Sequence, residues 1–118
     1  MAKKILIIDD EPTIVMILDE LLSEQGYDIL KAYSGEEGLR LFNSKTPPDL
    51  VITDLKMPGI SGKAVIQAIR ENPKEIPIII VTGCVMNGDF PEEGSYQAIF
   101  YKPFDLEEFL EKVLQIIK

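Results

Sequence analysis

The sequence predicts an open α/β fold built on five parallel strands, and three observations predict it. Short apolar runs recur at Ile5–Ile8, Tyr27–Ala32, Leu50–Thr53, Ile76–Val81 and Ile99–Tyr101, and all but one of the stretches between them keep helical spacing. Four of the runs also end in a residue able to handle a phosphoryl group or a cation: Asp9-Asp10-Glu11, Asp54, Thr82 and Lys102-Pro103. Strands alternating with helices make a parallel sheet with right-handed crossovers and helices on both faces. The carboxyl ends of such strands share one edge, where open α/β folds place their sites. Two acids, an isolated Asp, a hydroxyl and an ammonium should therefore meet in one crevice.

Each element has its own warrant. Pro12 suits the first turn of a helix, and Ile14, Val15, Ile17, Leu18, Leu21 and Leu22 keep one buried face until Gly26 ends it. After the short strand Tyr27–Ala32, Ser34 is an N-cap for a helix through about Asn43, with Leu39 and Phe42 inward, and Thr46-Pro47-Pro48 closes that unit. Asp49–Asp54 forms a third strand, apolar enough to be covered on both faces, and Met57-Pro58-Gly59 turns out of it. Ser61 caps a third helix that buries Val65, Ile66 and Ile69 and stops near Asn72-Pro73. Ile76–Thr82 is the most β-branched segment. Beyond it the helical pattern fails: Asn87-Gly88, Pro91 and Gly94 interrupt residues 83–95, so the fourth helix is expected to be weak or irregular and to order only on phosphorylation. Gln97–Tyr101 is the fifth strand, and Asp105 opens a last helix with Leu106, Phe109, Leu110, Val113 and Ile117 on one side.

The composition bounds the function. A chain of 118 residues fits one domain, residues 1–118. Twelve basic against twenty acidic residues give a net charge of −8, which argues against nonspecific binding to nucleic acid or anionic membrane. The acids at 9–11 cut the first apolar run far below a signal-peptide core, and no run approaches the ~20 apolar residues of a membrane span, so a cytoplasmic location is expected. A single cysteine, Cys84, excludes an internal disulfide and fits a reducing compartment. Histidine is absent, which removes a His-based triad, a His metal site and any phosphohistidine on this chain.

Asp9 and Asp10 are neighbours, so on an extended strand they would point to opposite faces; at a strand end both can lean into one crevice. Acids are common in loops for no functional reason, but Asp54 joins these two, and carboxylates that close repel unless a cation offsets them. An all-oxygen set suits Mg²⁺. Asp54 ends a strand buried on both faces, where an unpartnered acid is costly. Beside Mg²⁺ such a carboxylate can attack a phosphoryl donor and form an acyl phosphate, with the cation and Lys102 stabilising charge on the equatorial oxygens. Thr82 could be there for strand propensity alone, yet Gly83 next to it leaves the approach to Asp54 open. Lysine is rare at the end of a buried strand without an anionic partner, and the Lys102-Pro103 bond is of the kind that can be cis.

Ile-Leu-Ile-Ile-Asp9-Asp10-Glu11, Asp54-Leu-Lys-Met57-Pro58-Gly59-Ile-Ser-Gly62, Thr82-Gly83 and Lys102-Pro103-Phe104, in this order and at these separations, make the whole chain resemble the receiver domains of bacterial response regulators. The resemblance implies a flavodoxin-like sheet of order 2-1-3-4-5 and transfer of a phosphoryl group from a kinase phosphohistidine to Asp54. It implies a signalling phosphoacceptor that catalyses its own phosphorylation and slow autodephosphorylation. It assigns Mg²⁺ to Asp10, Asp54 and the Lys56 carbonyl, gives Asp9 the metal's water shell, Thr82 a hydrogen bond to the phosphoryl group and Lys102 an ion pair with it. The implied partners are a histidine kinase or phosphotransfer protein and an output protein or domain, with the chain a monomer or weak dimer.

Two departures stand out. The family's usual aromatic residue three positions before the strand-five lysine is Ile99 here, and the segment between Thr82 and Lys102 is short and rich in turn residues. A rival reading is a receiver-like interaction module that works without phosphorylation; the intact set of acids, Thr82 and Lys102 opposes it. A Mg²⁺-dependent phosphatase is opposed by Lys56, which stands where a second acid would be needed. A nucleotide-binding fold fails because Gly59–Lys63 is too short for a Walker loop and no GxGxxG occurs.

Overall fold

The computed structural model describes residues 2–44, 46–72, 75–83 and 90–117. Five strands, β1 (Lys4–Ile8), β2 (Asp28–Ala32), β3 (Leu50–Thr53), β4 (Ile78–Thr82) and β5 (Ala98–Tyr101), form one parallel sheet in the order β2-β1-β3-β4-β5. Among the described residues there are four helices, α1 (Pro12–Ser23), α2 (Gly35–Phe42), α3 (Gly62–Arg70) and α4 (Leu106–Ile116). This is the flavodoxin-like arrangement. The chain leaves β1 toward β2 on one side and returns to β3 on the other, so the strand order reverses between β1 and β3 and opens a crevice at their carboxyl ends.

The period-two alternation of the strands divides the core between two layers. Leu6 and Ile8 of β1, Val51 of β3 and Ile78 and Ile80 of β4 pack with Phe42, Val65, Ile66 and Ile69 from α2 and α3. Ile5, Ile7, Leu50, Ile52, Ile79 and Val81 pack on the opposite face with Val15, Leu18, Leu22, Phe109 and Val113 from α1 and α4. Both faces of the central strands are thus removed from water, which is why these strands read as unbroken apolar runs. Phe100, Phe104 and Phe109 close the second layer, with Phe109 standing edge-on to Phe100 at a centroid distance of 5.3 Å.

The helix starts follow the caps. Pro12 opens α1. Ser34 accepts a hydrogen bond from the Glu37 amide (3.1 Å) while the Glu37 carboxylate accepts one from the Tyr33 amide (2.7 Å), tying both sides of the α2 start. Ser61 accepts from the Ala64 amide at 3.2 Å, and Asp105 from the amides of Glu107 and Glu108 at 2.8 and 3.1 Å.

Two details differ from the sequence reading. Strand β4 begins at Ile78, because Pro77 has no amide to donate and the Ile76 carbonyl instead accepts from the Arg70 guanidinium (2.8 Å). Leu106, placed on the inner face of the last helix, is 39% exposed at its first turn. A methyl group at Gly83 would meet only the Lys102 stem, at an ordinary 3.9 Å. Of the segment expected to be irregular, residues 84–89, with Cys84 and Asn87-Gly88, lie outside the described residues. Phe90–Gln97 form no helix; Gly94 takes φ +89°, and Arg70 Nε donates to the Ser95 carbonyl at 2.9 Å. Phe90 and Tyr96 pack with Ile99 against the α2 and α3 layer.

Candidate functional site

Backbone register brings the acids together. Ile8 pairs with Thr53 across β1 and β3, so the next residue of each strand, Asp9 and Asp54, stands at the mouth of the crevice. Both remain tied to the sheet: the Asp54 amide donates to the Ile8 carbonyl (3.0 Å) and the Asp9 amide to the Ala32 carbonyl (3.1 Å). Thr82 pairs with Tyr101 across β4 and β5, and the Lys102 amide donates to the Thr82 carbonyl at 2.8 Å, which sets the lysine beside the same crevice. The loop after Asp54 folds back tightly. Gly62 donates to the Leu55 carbonyl at 2.8 Å, and a Cβ on Gly62 would overlap the Asp54 carbonyl oxygen, so only glycine lets α3 start this close to the acid.

Lys102 Nζ donates to three carboxylates: Asp9 Oδ2 at 2.8 Å, Glu11 Oε1 at 2.8 Å and Asp54 Oδ2 at 3.1 Å. The second oxygens of Asp9 and Asp54 are turned to the backbone. Asp54 Oδ1 accepts from the amides of Leu55 (2.7 Å) and Lys56 (3.3 Å), and Asp9 Oδ1 from the amide of Glu11 (2.9 Å). Asp9 and Asp54 are 2% and 5% exposed and Thr82 is fully buried, whereas Asp10 is exposed. Asp10, Glu11, Asp54, Lys56, Thr82 and Gly83 line an open depression of about 220 Å³ above them.

The titration behaviour follows from this packing. Burial raises the Asp9 carboxyl above its ordinary value, and the like charge of Asp54 adds to that, against the lowering effect of the Lys102 and Glu11 hydrogen bonds. Burial works to lower the Lys102 ammonium, but its hydrogen bonds to Asp9 and Glu11 and the charges around it prevail, and the group is raised. Asp9 and Lys102 are partners, yet both shift upward, because burial prevails at Asp9 and the hydrogen bonds prevail at Lys102. The lysine shift reports the pairing; the Asp9 shift reports chiefly its burial.

The structure therefore brings Asp9, Asp54, Thr82 and Lys102 to one place, with Asp10 and Lys56 on its rim. Asp9, Glu11 and Asp54 offer carboxylate oxygens that all lie within 4.8 Å of one another, an all-oxygen donor set suited to a hard divalent cation. Glu11, named in the acidic run Asp9-Asp10-Glu11, is the residue to which sequence reasoning gave no role of its own. Its signal was only its place two residues past Asp9, where the turn that sends its amide to Asp9 Oδ1 also swings its side chain toward Lys102.

A profile of the response regulator receiver domain matches residues 5–114. Sporulation initiation phosphotransferase F of Bacillus subtilis (strain 168) is 33% identical over 115 residues, covering 96% of this chain and 92% of that protein. A probable transcriptional regulator ycf27 of Guillardia theta is 36% identical over 118 residues, covering 98% of this chain and 46% of the relative. The chain spans about a third to a half of the length of the transcriptional regulators it matches. Among solved structures, the response regulator protein TrrA from Thermotoga maritima, in complex with Mg(2+)-BeF, superposes with a TM-score of 0.86 at 40% identity, covering 98% of this chain and 99% of that one. No helix among the described residues is long and apolar enough to cross a membrane. With the sheet order, the acidic pocket and these relatives in agreement, the chain belongs to the response regulator receiver domain family.

Proposed function

We propose that this domain accepts a phosphoryl group on Asp54 from the phosphohistidine of a histidine kinase or phosphotransfer protein, in the cytoplasm, and switches a surface read by an output protein or domain. The observation that carries the reading is the setting of Asp54: buried, one oxygen held by two backbone amides, the other on Lys102, and both beneath an open depression. Amides on Oδ1 fix the carboxylate plane, which leaves Oδ2 as the oxygen to react. In the transfer an O–P bond forms at Asp54 while the donor's N–P bond breaks, and the departing imidazole nitrogen takes up a proton. Lys102, released from the carboxylate, then pairs with the phosphoryl oxygens, and the Thr82 hydroxyl donates to one of them.

Lys102 already engages Asp9, Glu11 and Asp54, but Asp10, Asp54 and Lys56 line the open depression beside them and offer oxygens that suit Mg²⁺. Asp10, Asp54 and the Lys56 carbonyl would hold it at the depression, with Asp9 beneath ordering its water shell. Bound there, it would neutralise charge on the donor and on the equatorial oxygens. The TrrA complex with Mg(2+)-BeF supports the same reading by likeness.

Incubating the protein with acetyl phosphate and following intact mass tests it. The expected result is one phosphoryl adduct that requires Mg²⁺ and vanishes in Asp54→Asn. An adduct that survives EDTA or that substitution would overturn the mechanism, and no adduct in the parent would favour an interaction module that works without phosphorylation.

A further inference from the structure

An ammonium has three N–H bonds, and at Lys102 all three are directed at carboxylates. For Lys102 to meet a phosphoryl group on Asp54, at least one of these contacts must open. The three acids are not equally able to let go. The Asp9 and Asp54 side chains are only 3% and 6% exposed, and each has its second oxygen fixed by backbone amides. Glu11 reaches the ammonium from the rim with its side chain 59% exposed. It also has the longer stem, so it can follow the ammonium over a short path or release it to solvent.

We propose that Glu11 is a positioning residue for Lys102: it holds the ammonium in the resting site and competes for it with the phosphoryl oxygens on Asp54. Glu11 thereby sets how fully the phosphorylated domain switches. The competition rests on the reading of Asp54 as phosphoacceptor; the hold on Lys102 in the resting protein does not. An ion pair with one exposed partner shifts an equilibrium by about two- to fivefold, enough to tune a switch without abolishing it.

Two measurements test this. In metal-free, unphosphorylated protein, acylation of the Lys102 amine by a succinimidyl ester, read by peptide mass, should run about two- to fivefold faster in Glu11→Gln than in the parent, with Glu11→Asp between them. An unchanged rate would overturn the hold on Lys102. With Mg²⁺ present, titration with beryllofluoride as phosphoryl mimic should show about two- to fivefold tighter binding in Glu11→Gln. That gain should disappear when Lys102 is Met in both members of the pair. An equal gain in both backgrounds would mean that Glu11 acts only as a nearby negative charge, and would overturn the competition. A parent that binds no beryllofluoride would overturn the phosphoacceptor reading and the competition with it, while the labelling result still decides whether Glu11 holds Lys102.

Discussion

Lys102 shows how one side chain can link the chemistry of a site to the stability of its fold. Its ammonium is raised above the ordinary 10.5 by hydrogen bonds to Asp9 and Glu11 that outweigh the cost of burial. A base with a raised folded pKa contributes stability that is fully present below its unfolded value and is lost as pH climbs past it. Tyr27 acts in the same direction: burial raises its hydroxyl above 10.0, so the unfolded chain ionises first. The metal-free protein should accordingly keep a level urea midpoint up to about pH 10 from these groups and lose stability above it. The loss should be shallower in Lys102→Met and in Tyr27→Phe. If Lys102→Met shows the parent's alkaline slope, the lysine is not held as described. At this scale Asp9, Asp54, Thr82 and Lys102 were legible in the sequence because each directly follows or ends an apolar strand. Glu11 was not, since nothing in its neighbours says that a turn will carry it back onto a lysine ninety-one positions away.

Helix α3 carries the site at the level of elements. Its cap Ser61 and first residue Gly62 hold the loop that begins at Asp54, so its start serves the acid as much as the core. Ser61→Ala removes the bond to the Ala64 amide and should cost about 1 kcal/mol. Gly62→Ala forces a methyl group onto the Asp54 carbonyl oxygen and should cost about 1–3 kcal/mol, as overpacking does, with Asp54 displaced as well. Urea unfolding separates the two, and acetyl phosphate labelling should fall in Gly62→Ala while it persists in Ser61→Ala. Equal labelling in both would show that the close approach does not position the acid. The strands and the caps at Ser34, Ser61 and Asp105 were legible because apolar runs and cap residues are local signals. The start of β4 and the exposure of Leu106 were not, because both depend on what reaches them from α3 or from solvent. The absence of a helix over Phe90–Gln97 was legible from Pro91 and Gly94, but its fastening was not: Arg70 makes that attachment from twenty-five residues away.

For the whole molecule, the acidic cluster is a local excess of negative charge set in a chain that already carries −8. Three carboxylates, Asp9, Glu11 and Asp54, gather around one ammonium with Asp10 on the rim, and the fold holds them there against their repulsion. Asp9 records the cost, its carboxyl raised above 3.8 chiefly by burial. For an acid shifted in that direction, the folded state keeps a proton that the unfolded chain has lost, so stability falls as pH rises from 3.8 through the folded value. A divalent cation bound to these oxygens reverses that term, because it binds the folded state alone and needs the acids ionised. Mg²⁺ at about a hundred times its dissociation constant should therefore stabilise the parent by about 2.7 kcal/mol at pH 7. The gain should shrink toward pH 4, where protons compete for the same oxygens, and should be smaller in Asp54→Asn at every pH. Urea unfolding with and without Mg²⁺, at both pH values and matched ionic strength, measures it. A gain that is the same at pH 4 and pH 7, or that survives undiminished in Asp54→Asn, would place the stabilising ion elsewhere on the acidic surface and break the link between this cluster and the metal.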